Sequence, residues 1–419
     1  MAIGKARVGQ KALGLGVLLV WLGGCGSGLE ETKDSETPVL PEPSPDDASE
    51  PPPDGRLVPP GGQHGDSSAP AVALDARGRP VVVWSEFDGY RRYLAVQAWS
   101  GSKWQALGEG PGVRVVDSSP SWPTVAVDAR GRTVVAWTDT SAEGNDRDVY
   151  VSRWEGQRWV ALGKPLHIYS GYLSAARAPS LVLDAEGNPV VAWLENNGRT
   201  DDVLVWRWNG MTWLPVGDMQ RAGPTEAESQ AGPVSLVLDP RGRPLVAWQA
   251  GASPSRIFVR AWDGSAWRPL GAPLSAREDT LAGDPSLALA PDGTPYVAWT
   301  ESDGQTPGRV YVRTWDGAAW KPLSEQAAGI DRAYSARLAV DSDGVPRLAW
   351  VEWGDSANGL LHLGRWNGSQ WLPEPLPRHQ GQAPALAVSS RGRPFLAALE
   401  GSGPNGTYGV LVLRPETAP

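Results

Sequence analysis

The 419-residue sequence predicts an all-β protein: a seven-bladed β-propeller with four-stranded antiparallel blades, the last closed by an N-terminal strand. Three observations carry this reading. A motif recurs seven times at spacings of 48 to 56 residues, a period that marks repeat architectures. Each copy consists of short apolar alternations cut by Gly, Pro and Asp, which is the pattern of strands and not of helices. The two ends of the repeat region each hold part of one copy, and together they make a whole one.

The elements follow in order. A first alternating run ends in Asp-x-x-Gly, with Ala290 and Ser389 in the Asp place of copies five and seven, and its turn glycines are Gly78, Gly131, Gly187, Gly242, Gly293, Gly344 and Gly392. Asp first and Gly fourth suits a type I turn joining strands one and two. The second strand runs to Trp84, Trp137, Trp193, Trp248, Trp299 or Trp350, with Ala398 in the seventh copy. Strands three and four flank a hairpin between paired tryptophans: Trp99/Trp104, Trp154/Trp159, Trp208/Trp213, Trp262/Trp267, Trp315/Trp320 and Trp366/Trp371. Four residues between the two rings let them meet across the strands. In the seventh copy three strands, at Ala385 to Val388, Pro394 to Leu399 and Gly409 to Leu413, precede the end of the sequence. Gly55 to Pro60 reads as a fourth strand without a copy of its own, and pairing it with Gly409 to Leu413 closes a ring and hides an edge, which an open solenoid would not do.

Ahead of the repeats, residues 1–24 read as an export leader, with Lys5, Arg7 and Lys11 before an apolar run from Ala12 to Leu22. That run is about half the roughly 20 residues a membrane-spanning helix needs. Leu22-Gly23-Gly24-Cys25 resembles the lipobox of bacterial lipoproteins, which implies that Cys25, the single cysteine, carries the lipid. Gly26 in place of Asp implies, by the same resemblance, the outer membrane or cell surface, with the periplasmic face of the inner membrane as the alternative. Residues 25–54 are rich in Pro, Glu, Asp and Ser and form an extended acidic tether. The repeat domain spans 55–415. The bilayer, reached through Cys25, is therefore an expected partner.

Net charge is −9, with Lys and Arg scattered, so there is no basic stripe for nucleic acid. The four histidines, His64, His167, His362 and His379, have no metal-ligand spacing, and no nucleophile elbow or phosphate loop is present. No cofactor is expected. One candidate ligand rim does stand out. An acidic residue follows the second-strand tryptophan by two places at Glu86, Asp139, Glu195, Glu301 and Glu352, with Glu400 after Ala398; Ala250 breaks the series. As a ring of carboxylates on the loop-bearing face it could take a cation or a cationic partner; as ordinary turn carboxylates it would only cap. Asp341-Ser342-Asp343-Gly344 looks like part of a calcium loop but lacks the remaining ligands and reads as a turn.

The hairpins, as in Trp262 to Trp267 followed by Pro269 to Gly271, resemble those of two families: the Asp-box repeats of sialidase-like propellers and the Trp-Asp-Gly-x-x-Trp propeller lectins. The leading Ser/Thr of the Asp-box is absent, and its Asp position holds Ser100, Glu155, Asn209, Asp263, Asp316 and Asn367. The lectin resemblance implies sugar stacking on the paired rings; packing between blades is the other reading. A sialidase-like hydrolase would need a converging arginine cluster, whereas Arg77, Arg130, Arg241 and Arg391 sit in the Asp-x-x-Gly turns. Like groups repeated around a ring argue for a non-catalytic binding or interaction module, taking a glycan or another envelope protein, with a glycan-binding lectin or a sialidase-like hydrolase as alternatives.

Overall fold

A computed structural model describes residues 51, 54–58, 67–111, 118–140, 147–169, 174–217, 220–221, 231–251, 253–305, 308–323, 330–352, 359–377, 380–402 and 407–415. The leader, Cys25, the tether to residue 50, His64 and His379 lie outside them. The described residues form six sheets. Copy one is typical: Ser68–Leu74, Pro80–Phe87, Arg92–Trp99 and Trp104–Ala106 pair antiparallel in chain order. Copies two and three share one nine-stranded sheet because a single parallel bridge sets Ala175 opposite Arg147.

The expected closure is present. Asp54–Leu57 pairs antiparallel with Thr407–Leu413, with Gly55 opposite Val412 and Leu57 opposite Val410. Arg414 Nε donates to the Pro51 carbonyl at 2.9 Å, and Arg56 pairs with Glu400. The first strand of each copy neighbours that of the next, and Gln382–Val388 of copy seven neighbours Ser68–Leu74 of copy one.

Burial explains why neighbours must be present. Second strands are covered on both faces; in Pro80–Phe87 only Phe87 is not buried. Each buried cluster is shared by two successive copies, as when Val134 and Val149 of copy two pack with Trp193 and Trp213 of copy three, or Ala397 and Val410 of copy seven with Trp84 of copy one. At about 1.5–3 kcal/mol per fully buried large apolar side chain, a copy alone would leave most of this term unrealised.

The Asp-x-x-Gly turns close as their composition predicts. Asp75 Oδ1 accepts from the backbone N–H of Arg77 at 2.9 Å and Arg79 at 2.8 Å, and Asp128, Asp184 and Asp239 repeat this. Burial pushes the Asp239 carboxyl up, but hydrogen bonds from Arg243 and Arg241 outweigh it and leave it below the usual carboxylate value. Asp341 is one of these turns: it accepts from the N–H of Asp343 and Val345 and pairs with Arg347 at 2.5 Å.

The paired tryptophans are inter-copy staples. The second ring of a pair donates its indole N–H to a carbonyl just past the fourth strand of the preceding copy: Trp159 to Leu107 at 2.7 Å, Trp213 to Leu162 at 2.6 Å, Trp267 to Val216 at 2.7 Å and Trp320 to Leu270 at 2.6 Å. The next residue is each time a left-handed glycine, Gly108, Gly163, Gly217 or Gly271, on which a Cβ would stand 2.5 to 3.0 Å from the nearest indole atom of the next copy's pair. Within a pair the rings meet at 5.4 to 5.6 Å, the tilted or edge-on contact aromatic quadrupoles favour.

Every first strand also carries a bulge near its start, which the sequence reading did not anticipate. In six copies one residue there, Ala69, Trp122, Ala178, Asp284, Ser335 or Ala383, has φ between 47° and 54°.

Candidate functional site

The six rim carboxylates do not share one environment. In a strand, residues two apart point to the same face, so a carboxylate two places beyond a tryptophan can reach back to its indole. Trp84, Trp193 and Trp299 donate their Nε1–H to Glu86, Glu195 and Glu301 at 2.7, 2.9 and 2.8 Å. The same carboxylates then hold the segment leading into their copy's first strand. Glu86 accepts from Ser67 Oγ at 2.6 Å, Glu195 from the N–H of Ile168 at 2.8 Å and Tyr169 at 2.6 Å, and Glu301 from Ala276 N–H at 2.5 Å and Thr280 Oγ at 2.9 Å. All three are buried. Asp139 does similar work with Ser118 Oγ and Ser119 N–H, at 2.5 and 2.7 Å. Glu352 instead lies 3.0 Å from His362 Nε2, and Glu400 meets Arg56. Among the described residues no three His, Cys, Asp or Glu side chains are grouped so as to hold a metal ion. His167 sits 3.3 Å from Asp148, and His362 stacks on Trp350.

Unlike groups do converge in one place. A cleft of about 380 Å3 opens where copies five and six meet. Glu301, held as above, is one wall, and Tyr311, stacked on Trp299 at 5.7 Å, is another. Asp303 follows the second strand of copy five, while Arg309 opens the third strand and pairs with Asp331 at 2.5 Å. Arg277 comes from the lead-in segment and pairs with Asp279 at 3.4 Å. Behind Trp299, the Arg313 guanidinium lies 5.5 Å from its ring centroid. Burial pushes that guanidinium below its ordinary value, with Glu301 acting in the opposite direction. The cleft thus combines carboxylates, guanidinium groups and a phenol on elements of two copies. Of its lining, Glu301 alone belongs to a series visible in the sequence repeat. The others lie in segments of unequal length between repeats, where periodicity is silent. The signal available was the interleaving of Arg and Asp at residues 277–279, 303–309 and 331–332.

No protein-family model matches the chain, and no curated protein matches it. Solved structures do. An ulvan lyase of a new polysaccharide-lyase family is similar at 12% identity and TM-score 0.56, over 86% of this chain and 95% of that one. A puromycin hydrolase mutant is similar at 15% identity and TM-score 0.53, over 84% of this chain and 52% of that one. An α-L-arabinanase of Penicillium chrysogenum complexed with arabinobiose is similar at 16% identity and TM-score 0.47, over 70% and 93%. The shared element is the fold, a β-propeller built of four-stranded antiparallel sheets. The ulvan lyase and the puromycin hydrolase that share the fold are enzymes, which runs against the expectation of a non-catalytic binding or interaction module. That expectation weighs only the repeated residues, while the cleft is assembled from residues that do not repeat.

Proposed function

We propose that this chain is a glycan-processing enzyme, a seven-bladed propeller held outside the cytoplasm by a lipid on Cys25 and the acidic tether that follows. The observation that carries the activity is the cleft between copies five and six. Cleaving a glycosidic bond takes positioned groups that give and take a proton, and Asp303, Asp331 and Tyr311 are groups of that kind in one cavity. Arg309 and Arg277 supply planar donors suited to sugar hydroxyls, carboxylates or sulfates. The ulvan lyase with this fold is bound to a glycan of glucuronate and sulfated rhamnose, which favours an acidic polysaccharide as substrate.

Seven blades follow from the seven sequence copies, each with four strands once Asp54–Leu57 is counted with copy seven. On this count the nine-stranded sheet is two blades touching at one bridge.

Incubating the protein with a polysaccharide panel that includes ulvan and arabinan, and reading reducing ends together with unsaturated-uronate absorbance, tests the activity and separates hydrolase from lyase. Asp303→Asn and Tyr311→Phe are each expected to slow turnover about 10²–10⁴-fold at unchanged melting temperature. Absence of turnover on every polymer, or turnover indifferent to both variants, refutes the reading. Mass spectrometry of the protein made in a bacterial host tests the anchor: an acylated Cys25 is expected, and an unmodified one rejects it.

A further inference from the structure

Beyond the leader, Trp122, Trp206 and Trp353 lie outside the repeated tryptophan positions, and of these Trp122 sits at a first-strand bulge. At the first-strand bulge, copies one, three, four, five, six and seven carry Ala69, Ala178, Gly232, Asp284, Ser335 and Ala383. Copy two carries Trp122, with φ 48° and 45% of its surface exposed. A bulky side chain in left-handed backbone is a true outlier, and such strain persists where it serves a site. Trp122 is also excused from the two jobs that other tryptophans do: it neither ends a second strand nor staples two copies.

Its surroundings are built to hold the ring in place. The Arg147 guanidinium lies 5.9 Å from the Trp122 ring centroid and is itself fixed by the Ser119 carbonyl at 2.9 Å and Ser121 Oγ at 2.5 Å. Arg147 Nε is buried and has no partner. The side chain is desolvated enough that burial pushes the guanidinium below its ordinary value, with Asp139 opposing. Ser121 pairs with Thr138 at the end of copy two's second strand, as Leu281 pairs with Ser302 beside the cleft. Platform and cleft therefore open toward the same end of the ring of first strands.

We infer that Trp122, oriented by Arg147, is an aromatic platform on which a sugar ring of the glycan chain stacks by its C–H face, a subsite remote from the cleft. The assignment of a sugar rests on the glycan-processing reading above. Stacking there binds ground state and transition state alike, so it acts on KM and not on kcat.

The test uses the full chain labelled with 5-fluorotryptophan, the Trp122 resonance being identified by its loss in Trp122→Phe. Ulvan and arabinan oligosaccharides are the probes. The Trp122 signal is expected to move with at least one, and Trp122→Ala to raise KM for the parent polymer about tenfold, equivalent to about 1.4 kcal/mol. Trp122→Phe is expected to recover most of that loss. Folding of the Ala variant is expected, since three other copies carry Ala at this place. An unmoved Trp122 signal with an oligosaccharide whose polymer is turned over, together with unchanged KM in Trp122→Ala, overturns the platform and leaves the enzyme reading intact. A moved signal without turnover of any polymer supports the platform and refutes the enzyme. Silence in both measurements refutes both.

Discussion

Trp213 and Trp122 are the same residue type under opposite physical regimes. Trp213 is buried, belongs to the repeat, and donates across a copy boundary to Leu162 at 2.6 Å. Trp122 is exposed, has no counterpart in the other copies, and sits on strained backbone. The repeated rings hold the ring of sheets together. What departs from the repeat, Trp122 and the cleft around Tyr311 and Asp303, is where unlike polar and aromatic groups gather. In this chain the regular positions report on packing, and the irregular ones carry the proposed sites.

The comparison can be broken most directly by truncating both rings. Trp213→Ala should cost about 3–5 kcal/mol in urea unfolding, because it opens a hole between two copies and strands the Leu162 carbonyl. Trp122→Ala should stay within about 0.5 kcal/mol of the parent; equal losses would erase the distinction. Next in size is the glycine under the staple. Gly163→Ala, with φ +76° and a Cβ 3.0 Å from Trp208, should cost about 2–4 kcal/mol. Gly156→Ala, at φ +82° with open space around it, should cost only the backbone share of about 1 kcal/mol.

Rim carboxylates offer a third contrast. Glu195→Ala leaves three N–H donors unpaired, at about 1–3 kcal/mol for each that water cannot reach, while Glu352→Ala should be near neutral in the same urea unfolding. The smallest effect concerns Tyr169, in the segment that Glu195 holds. Burial first, then its hydrogen bond to Asp202, pushes this phenol from 10 to about 12. A pKa raised on folding favours the neutral phenol of the native state. Its contribution should therefore be whole below pH 10 and shrink as pH climbs toward 12, a slope that Tyr169→Phe should flatten in urea midpoints taken across that range.

Much of the fold was legible because its determinants are local and periodic. Asp75 and its equivalents carry the turn in their own side chains, and apolar alternation fixes the strands. Even the closing pair could be read, since Gly55 to Leu57 and Gly409 to Leu413 were each incomplete alone. The bulges escaped notice because what marks them is a left-handed residue such as Ala69 or Ala383, for which Ala has no special preference. Among the candidate site residues, the spacing of Glu86, Glu195 and Glu301 was visible, but their reach back to an indole depends on which side chain the pleat puts beneath them. The cleft was least legible. Arg277, Tyr311 and Asp331 are separated in sequence and meet only when copies five and six pack.

The pairing of Asp54–Leu57 with Thr407–Leu413 also sets a timetable. Among the described residues the first strand has its partner among the last, so Leu57 can meet Val410 only once synthesis has passed Thr407–Leu413. Early copies can gather against one another before then, but the circle cannot lock.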